Sequence, residues 1–324
     1  MSTQPRPRAL FALVAALVLA LGVATCGGGE SDEGGSEIRA NLIEENPDNN
    51  GIEITVGSKN FTEQYILGEI YAQALEAAGY DVRTDLNLGS ERIALKALEQ
   101  GEIDAYPEYT STALTSFFEF APEDVPADGQ QAFEESRDDF EQLGLVAFPP
   151  TPFSSANAVG LLTETADELG VTKISDLEGM SQDLTLYGSP ECRQRIDCLV
   201  GLERNYGLEF KGFTPVKIGL RYQVLDRGEA DLSILFTTDA QLFVSDEYAI
   251  LEDDRGVLPA GNVLFVARQQ TADEAGPDFA DTVERVQENL TLGVMQELNA
   301  RVDVDREKPE DAAGRYLEEH GYVR

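Results

Sequence analysis

Histidine occurs once in 324 residues, at His320, and cysteine three times, at positions 26, 192 and 198. Serine and cysteine nucleophiles usually rely on a histidine base, so a lone histidine near the C-terminus removes the commonest hydrolase arrangements. It also lies far in sequence from Cys192 and Cys198, which argues against zinc. Lysine is scarce as well, with six in the chain, and the formal net charge is −36. So acidic a chain repels nucleic acid and anionic lipid headgroups. Sixty acidic residues bring carboxylates together by chance, so acid pairs alone make no case for a glycosidase. No enzyme, cofactor or metal site is expected. What is present is 42% hydrophobic residues, with charge spread along most of the length. That suffices for a full core in one or two domains.

Residues 1–25 have the form of a signal peptide: Arg6 and Arg8, then an apolar run from Ala9 to about Val23. The end of this segment, Val23-Ala24-Thr25-Cys26, resembles a bacterial lipobox, which makes Cys26 the expected lipidation site; a plain signal peptide or signal anchor is the alternative. Residues 26–50 are rich in Gly, Glu, Asp and Asn and are expected to form a disordered acidic tether. Folding is expected to begin near Gly51, outside the cytoplasmic membrane.

From there, strand-like and helix-like segments alternate, the signature of an α/β architecture. Ile52 to Val56 reads as a buried strand. Glu63 to Ala78 places Ile66, Leu67, Ile70, Tyr71, Ala74 and Leu75 on one helical face, with Thr62 or Asn60 as cap. A strand over Val82–Leu88, a helix from about Ser90 to Gln100 and a strand from near Ile103 follow. An internal repeat then appears: ALEQGEIDAYPEYT (97–110) and VLDRGEADLSILFT (224–237) share a helix end, Gly-Glu, Asp, a strand and Thr at an offset of 127 residues. Gly101 and Gly228 suit helix C-caps, and Asp104 and Asp231 open the next strands. TVGSKN (55–60) and LYGSPE (186–191) are a looser echo. Two lobes of like construction follow, with Tyr109 and Phe236 at equivalent strand ends, where ligands of open α/β sheets collect.

GSKNFTEQYILGEI (57–70), ALEQGEIDAYPEYTSTAL, RIDCLVGLERNYGL, GEADLSILFTTD and LEDD together resemble the glycine betaine/choline/carnitine substrate-binding proteins of ABC importers, from about Ile52 to the C-terminus. The resemblance implies a two-lobed periplasmic-binding fold of type II with the ligand cleft between the lobes. Lobe one is expected at 52–152 plus 261–324 and lobe two at 153–260, with crossovers near Pro149–Phe153 and Pro259–Asn262.

By the same resemblance, Lys59, Thr112 and Arg195 hold the carboxylate of a small zwitterion, with Arg193 as the alternative to Arg195. Charge-assisted hydrogen bonds suit that task, at about 1.5–3 kcal/mol each. A quaternary ammonium has no N–H and is held by aromatic faces, each contributing about 0.5–2 kcal/mol. Tyr109 matches one such ring. Three other family tyrosines fall at Asn157, Phe236 and Ala260, of which only Phe236 keeps a ring; Tyr106 and Tyr187 are candidates to substitute.

With Cys26 assigned to lipid, Cys192 and Cys198 remain as an even pair in an oxidising compartment, expected to bridge and brace the segment carrying Arg195. The expected protein is a monomeric lipoprotein on the outer face of the cytoplasmic membrane. It presents a small-molecule ligand to the transmembrane subunits of an ABC permease. A different small polar or amino-acid-like ligand, or a ligand-sensing lipoprotein, are the alternatives.

Overall fold

The computed structural model describes residues 41–324; the signal peptide, Cys26 and residues 26–40 lie outside the described residues. Residues 41–50, expected to belong to the tether, instead pack on the folded body. Ile43 N donates to Tyr322 O (2.9 Å), Arg285 to Leu42 O (3.1 Å) and Asn49 Nδ2 to Ala78 O (2.8 Å). Ile43 and Asn49 are buried: Ile43 joins the apolar cluster that holds Tyr322, and the Asn49 amide is satisfied by a backbone carbonyl.

Among the described residues, eleven strands make two sheets. The first contains β1 (Glu53–Gly57), β2 (Asp81–Asp85), β3 (Ala105–Tyr109), β4 (Leu145–Ala147), β5 (Ser154–Ser155) and β11 (Gly261–Arg268), in the order β2-β1-β3-β11-β4 with β5 also on β11. The second contains β6 (Asn157–Leu162), β7 (Thr185–Gly188), β8 (Gly212–Pro215), β9 (Leu232–Phe236) and β10 (Tyr248–Ile250), in the order β10-β6-β9-β7-β8. Three neighbouring parallel strands followed by an antiparallel one occur in each: β2-β1-β3-β11 and β8-β7-β9-β6. The two lobes therefore share one construction.

That likeness reaches single atoms. Asp104 Oδ2 accepts Thr55 N in β1 (2.9 Å), and Asp231 Oδ2 accepts Thr185 N in β7 (2.7 Å). Each acid ties its own strand to the neighbour on which the lobe is built. Gly101 and Gly228 precede them in the left-handed region, at φ 71° and 63°, which a Cβ would strain.

Helix α1 (Thr62–Ala77) buries all six apolar residues expected on its inner face. Its N-cap is Phe61, with no side-chain cap bond, so neither Thr62 nor Asn60 caps it; the Thr62 hydroxyl donates instead to Asp303 (2.7 Å). Helix α2 (Glu91–Gln100) follows the short β2. In the second lobe lie α3 (Leu199–Tyr206), α4 (Arg221–Asp226) and α5 (Ala240–Val244); α6 (Leu292–Asp303) and α7 (Pro309–Glu319) pack back on α1. Helix α6 also touches α5, joining the lobes away from the crossovers.

The chain passes between the sheets at Ala156, since Ser155 pairs with β11 and Asn157 with β9. This is later than the expected crossover at Pro149–Phe153. Thr151 N donates to Val263 O (2.9 Å) and Asn262 Nδ2 donates to the carbonyls of Thr151 and Phe153, which ties this stretch to the first lobe. The return passage runs into Gly261, where a Cβ would sit 2.6 Å from Ser111 N. Only glycine lets the two backbones approach so closely.

Candidate functional site

A cavity of about 90 Å³ lies between the lobes, beyond the C-terminal ends of β1, β3, β7 and β9. The loop from β1 into α1 places Lys59 on it, with a side chain almost wholly shielded from water. Its ammonium pairs with the Glu108 carboxylate and lies 4.5 Å from the centroid of the Tyr109 ring. Burial pushes the Lys59 pKa down, against the pull of Glu108. Glu108 also accepts Tyr106 Oη (3.1 Å) and Tyr109 N (2.8 Å), so this buried acid is well satisfied.

Tyr109, the last residue of β3, points its hydroxyl at Glu63 (2.6 Å). Burial, then the neighbouring Glu63, holds this phenol far above its ordinary pKa, so it remains a donor. Phe61 lies beside it, with centroids 6.3 Å apart, and 5.2 Å from Phe236, the last residue of β9. The two strand-end rings expected from the repeat thus meet through a third. Phe236 carries the Arg221 guanidinium at 4.1 Å on one face, and Arg221 pairs with Asp239 (2.8 Å).

From the second lobe, Arg195 reaches over to the first. It holds Asp197 through Nε (2.7 Å) and a terminal nitrogen, with Glu91 at 3.7 Å and Thr112 Oγ1 at 3.5 Å across the cleft. Burial opposes its charge, but Asp197 more than offsets this and raises the pKa. Arg195 sits inside a loop closed by the Cys192–Cys198 disulfide, whose Cα atoms are 5.2 Å apart. Asn157 Nδ2 donates to Asp197 O (2.9 Å), so its amide supports this loop where a family tyrosine was expected.

Lys59, Tyr109, Thr112, Asn157, Arg195 and Phe236, the six candidates from sequence, all line this one cavity. Tyr106, Tyr187 and Ala260 do not. Tyr106 is buried in the first-lobe core, Tyr187 packs beside Val224 and Leu225, and Ala260 is exposed off the cavity. Arg193 donates to Phe213 O (3.2 Å) and does not line the cavity, whereas Arg195 does. Phe61, Arg221, Glu108 and Asp197 were missed. Phe61 stands inside the GSKNF segment and Glu108 inside YPEY, where a motif shows presence without direction.

The arrangement can hold a small solute with two unlike ends. Lys59 and Arg195 each spend only part of their donors on internal acids, leaving N–H groups for an anion. Phe61, Tyr109 and Phe236 supply ring faces for a cation.

Comparison with known proteins follows the same line. A family model described as the substrate binding domain of ABC-type glycine betaine transport system matches residues 52–319. A glycine-betaine-binding protein of Pseudomonas aeruginosa is 33% identical over 278 residues, 82% of this chain and 88% of that protein. An ergothioneine transport permease/ergothioneine binding protein of Helicobacter pylori, EgtU, is 28% identical over 286 residues, 88% of this chain but 49% of that protein. In three dimensions the chain is similar to a solved structure described as a glycine betaine/carnitine/choline ABC transporter, with a TM-score of 0.66 and 24% identity over 83% of this chain and 99% of that one. The fold is the two-lobed periplasmic-binding fold of type II.

Proposed function

Since the chain belongs to the family of substrate-binding domains of ABC-type glycine betaine transport systems, we propose that its interlobe cavity captures a small quaternary-ammonium zwitterion for delivery to permease subunits. One observation carries this reading: three rings, Phe61, Tyr109 and Phe236, share a small cavity with the Lys59 and Arg195 cations and the Thr112 hydroxyl. The carboxylate would take remaining N–H groups of Lys59 and Arg195, and the methylated nitrogen would lie among the rings. Lobe one would be built on the first sheet and lobe two on the second. The two passages between them, at Ala156 and before Gly261, are short enough to hinge.

Binding proteins of ABC importers work outside the cytoplasmic membrane, and this chain would be held there as a monomeric lipoprotein through Cys26. Its role would be capture without catalysis. Among the described residues no helix is long and apolar enough to cross a membrane.

A second reading, a zwitterion of different shape, draws on a specific feature. Lys59 already covers a face of Tyr109 and Arg221 a face of Phe236, leaving fewer faces for a ligand cation. Calorimetric titration with glycine betaine, carnitine, choline, ectoine and proline separates the two. The first reading expects saturable binding of glycine betaine or carnitine, weakened by Lys59→Ala by at least about 1.5 kcal/mol. Binding of ectoine or proline alone would favour the second, and no binding across the panel would overturn both.

A further inference from the structure

Tyr109 lines the ligand cavity, and its hydroxyl donates to Glu63 Oε1 (2.6 Å). The other oxygen of that carboxylate, Oε2, accepts Asn299 Nδ2 (2.9 Å), and the same nitrogen donates to Thr238 O (3.0 Å). Glu63 and Asn299 belong to α1 and α6 of the first lobe; Thr238 belongs to the second, two positions after Phe236. All three are buried.

Two acceptors fix the Asn299 amide, because a flip would set its oxygen against both. Its Oδ1 is then buried with no partner among the described residues, a destabilising arrangement. What the side chain contributes is therefore the pair of bonds that Nδ2 donates across the lobes.

Thr238 is anchored at the passage between the sheets. Its hydroxyl meets Ser155 Oγ (3.0 Å). Beside it, Thr237 N donates to Ala156 O (3.1 Å) and Ala156 N to Thr237 Oγ1 (3.0 Å). Phe236, directly before these threonines, pairs with Asn157 in the sheet and lines the cavity. A buried run of hydrogen bonds thus leads from one ring of the cavity wall, through Glu63 and Asn299, to the segment that carries another. Glu63, Asn299 and Thr238 do not line the cavity themselves. Groups that touch a ligand keep their geometry only when a supporting layer of bonds holds them, and networks of this kind stiffen when every link is made.

We propose that Asn299 is a positioning residue for the ligand site: by tying Glu63 to Thr238 it fixes the spacing of the Tyr109 and Phe236 rings, and so sets the size of the ammonium group the cavity accepts. The inference rests on the function proposed above and adds to it a determinant of size selectivity that touches no ligand. With the run intact, the two ring walls cannot draw apart, and a bulkier cation collides with them. With one link cut, the walls yield and added bulk is tolerated.

Calorimetric titration of the full chain with glycine betaine and with its triethyl analogue tests it. The parent should prefer glycine betaine at least about tenfold, as a few methylenes allow. Asn299→Ala should reduce that ratio at least about fivefold. Tyr109→Phe keeps the ring and loses the bond to Glu63, so it should do the same, and it serves if Asn299→Ala fails to fold. The double variant should stay within about twofold of either single one, because both changes cut one run of bonds. Asn289→Ala removes the bond from Asn289 Nδ2 to Tyr322 Oη (2.6 Å), away from the cavity, and should lower stability while leaving the ratio within about twofold. A parent that binds glycine betaine but does not discriminate, a ratio unchanged in Tyr109→Phe or in folded Asn299→Ala, or fully additive losses would overturn this inference alone. A parent that binds neither compound would overturn the proposed function together with it.

Discussion

Lys59 and Glu108 form an ion pair from which water is excluded on both sides, with side chains 5% and 0% exposed. Removing one partner of such a pair leaves an uncompensated buried charge, whereas replacing both with apolar groups of similar size does not. Glu108→Gln should therefore destabilise the fold by about 3–5 kcal/mol in urea unfolding, and the double change Lys59→Met with Glu108→Leu by much less. Equal losses in the single and double variants would mean that the pair carries no such coupling.

Glu63 is buried against Tyr109, Asn299 and the Thr238 segment, and burial outweighs their hydrogen bonds to raise its pKa. A raised folded value means that the folded chain binds this proton more tightly than the unfolded one. The resulting stability is complete below the unfolded value of about 4.3 and is lost as pH rises through the folded value. Stability of the parent relative to Glu63→Gln should thus fall as pH rises from 4, measured by unfolding at each pH. A parent that gains on the variant over that range would show the hydrogen bonds prevailing.

The bridge between Cys192 and Cys198 closes a short loop around Arg195. On the chain-entropy model, Cys192→Ser with Cys198→Ser should cost about 2 kcal/mol in thermal or urea unfolding. Binding of carboxylate ligands should weaken as well, because Arg195 loses its brace. Unchanged affinity at unchanged stability would separate the bridge from the site.

Phe61 joins the two strand-end rings, so Phe61→Ala should weaken a quaternary-ammonium ligand by about 0.5–2 kcal/mol in calorimetry, as one lost cation–π contact does. The helix it precedes should persist, since Phe61 provides no side-chain cap bond. A carboxylate ligand without the methylated nitrogen should respond less.

Local pattern made much of this architecture legible. The six inward residues of α1 follow from helical period alone, and the matched Asp104 and Asp231 from a repeat visible in the letters. What escaped depends on partners distant in the chain. The expected cap at Thr62 failed because its hydroxyl bonds to Asp303, 241 residues away. The first crossover was set too early because Thr151 belongs to a neighbour on β11, 112 residues on. At the site, YPEY showed that Glu108 exists but not that it faces Lys59, and Phe61 stood in plain view without a direction.

Internal balancing of the cavity cations also bears on ionic strength. Lys59 meets Glu108, Arg195 meets Asp197 and Arg221 meets Asp239 at contact distance, all with little exposure to solvent. Mobile ions screen fields that extend through water, on a scale of about 8–10 Å near physiological strength, and act far less on charges neutralised at contact. A zwitterion, itself neutral overall, would enter such a cavity by directed hydrogen bonds and ring contacts and not by long-range attraction. Its grip should hold nearly constant as the surrounding medium turns from dilute to strongly saline.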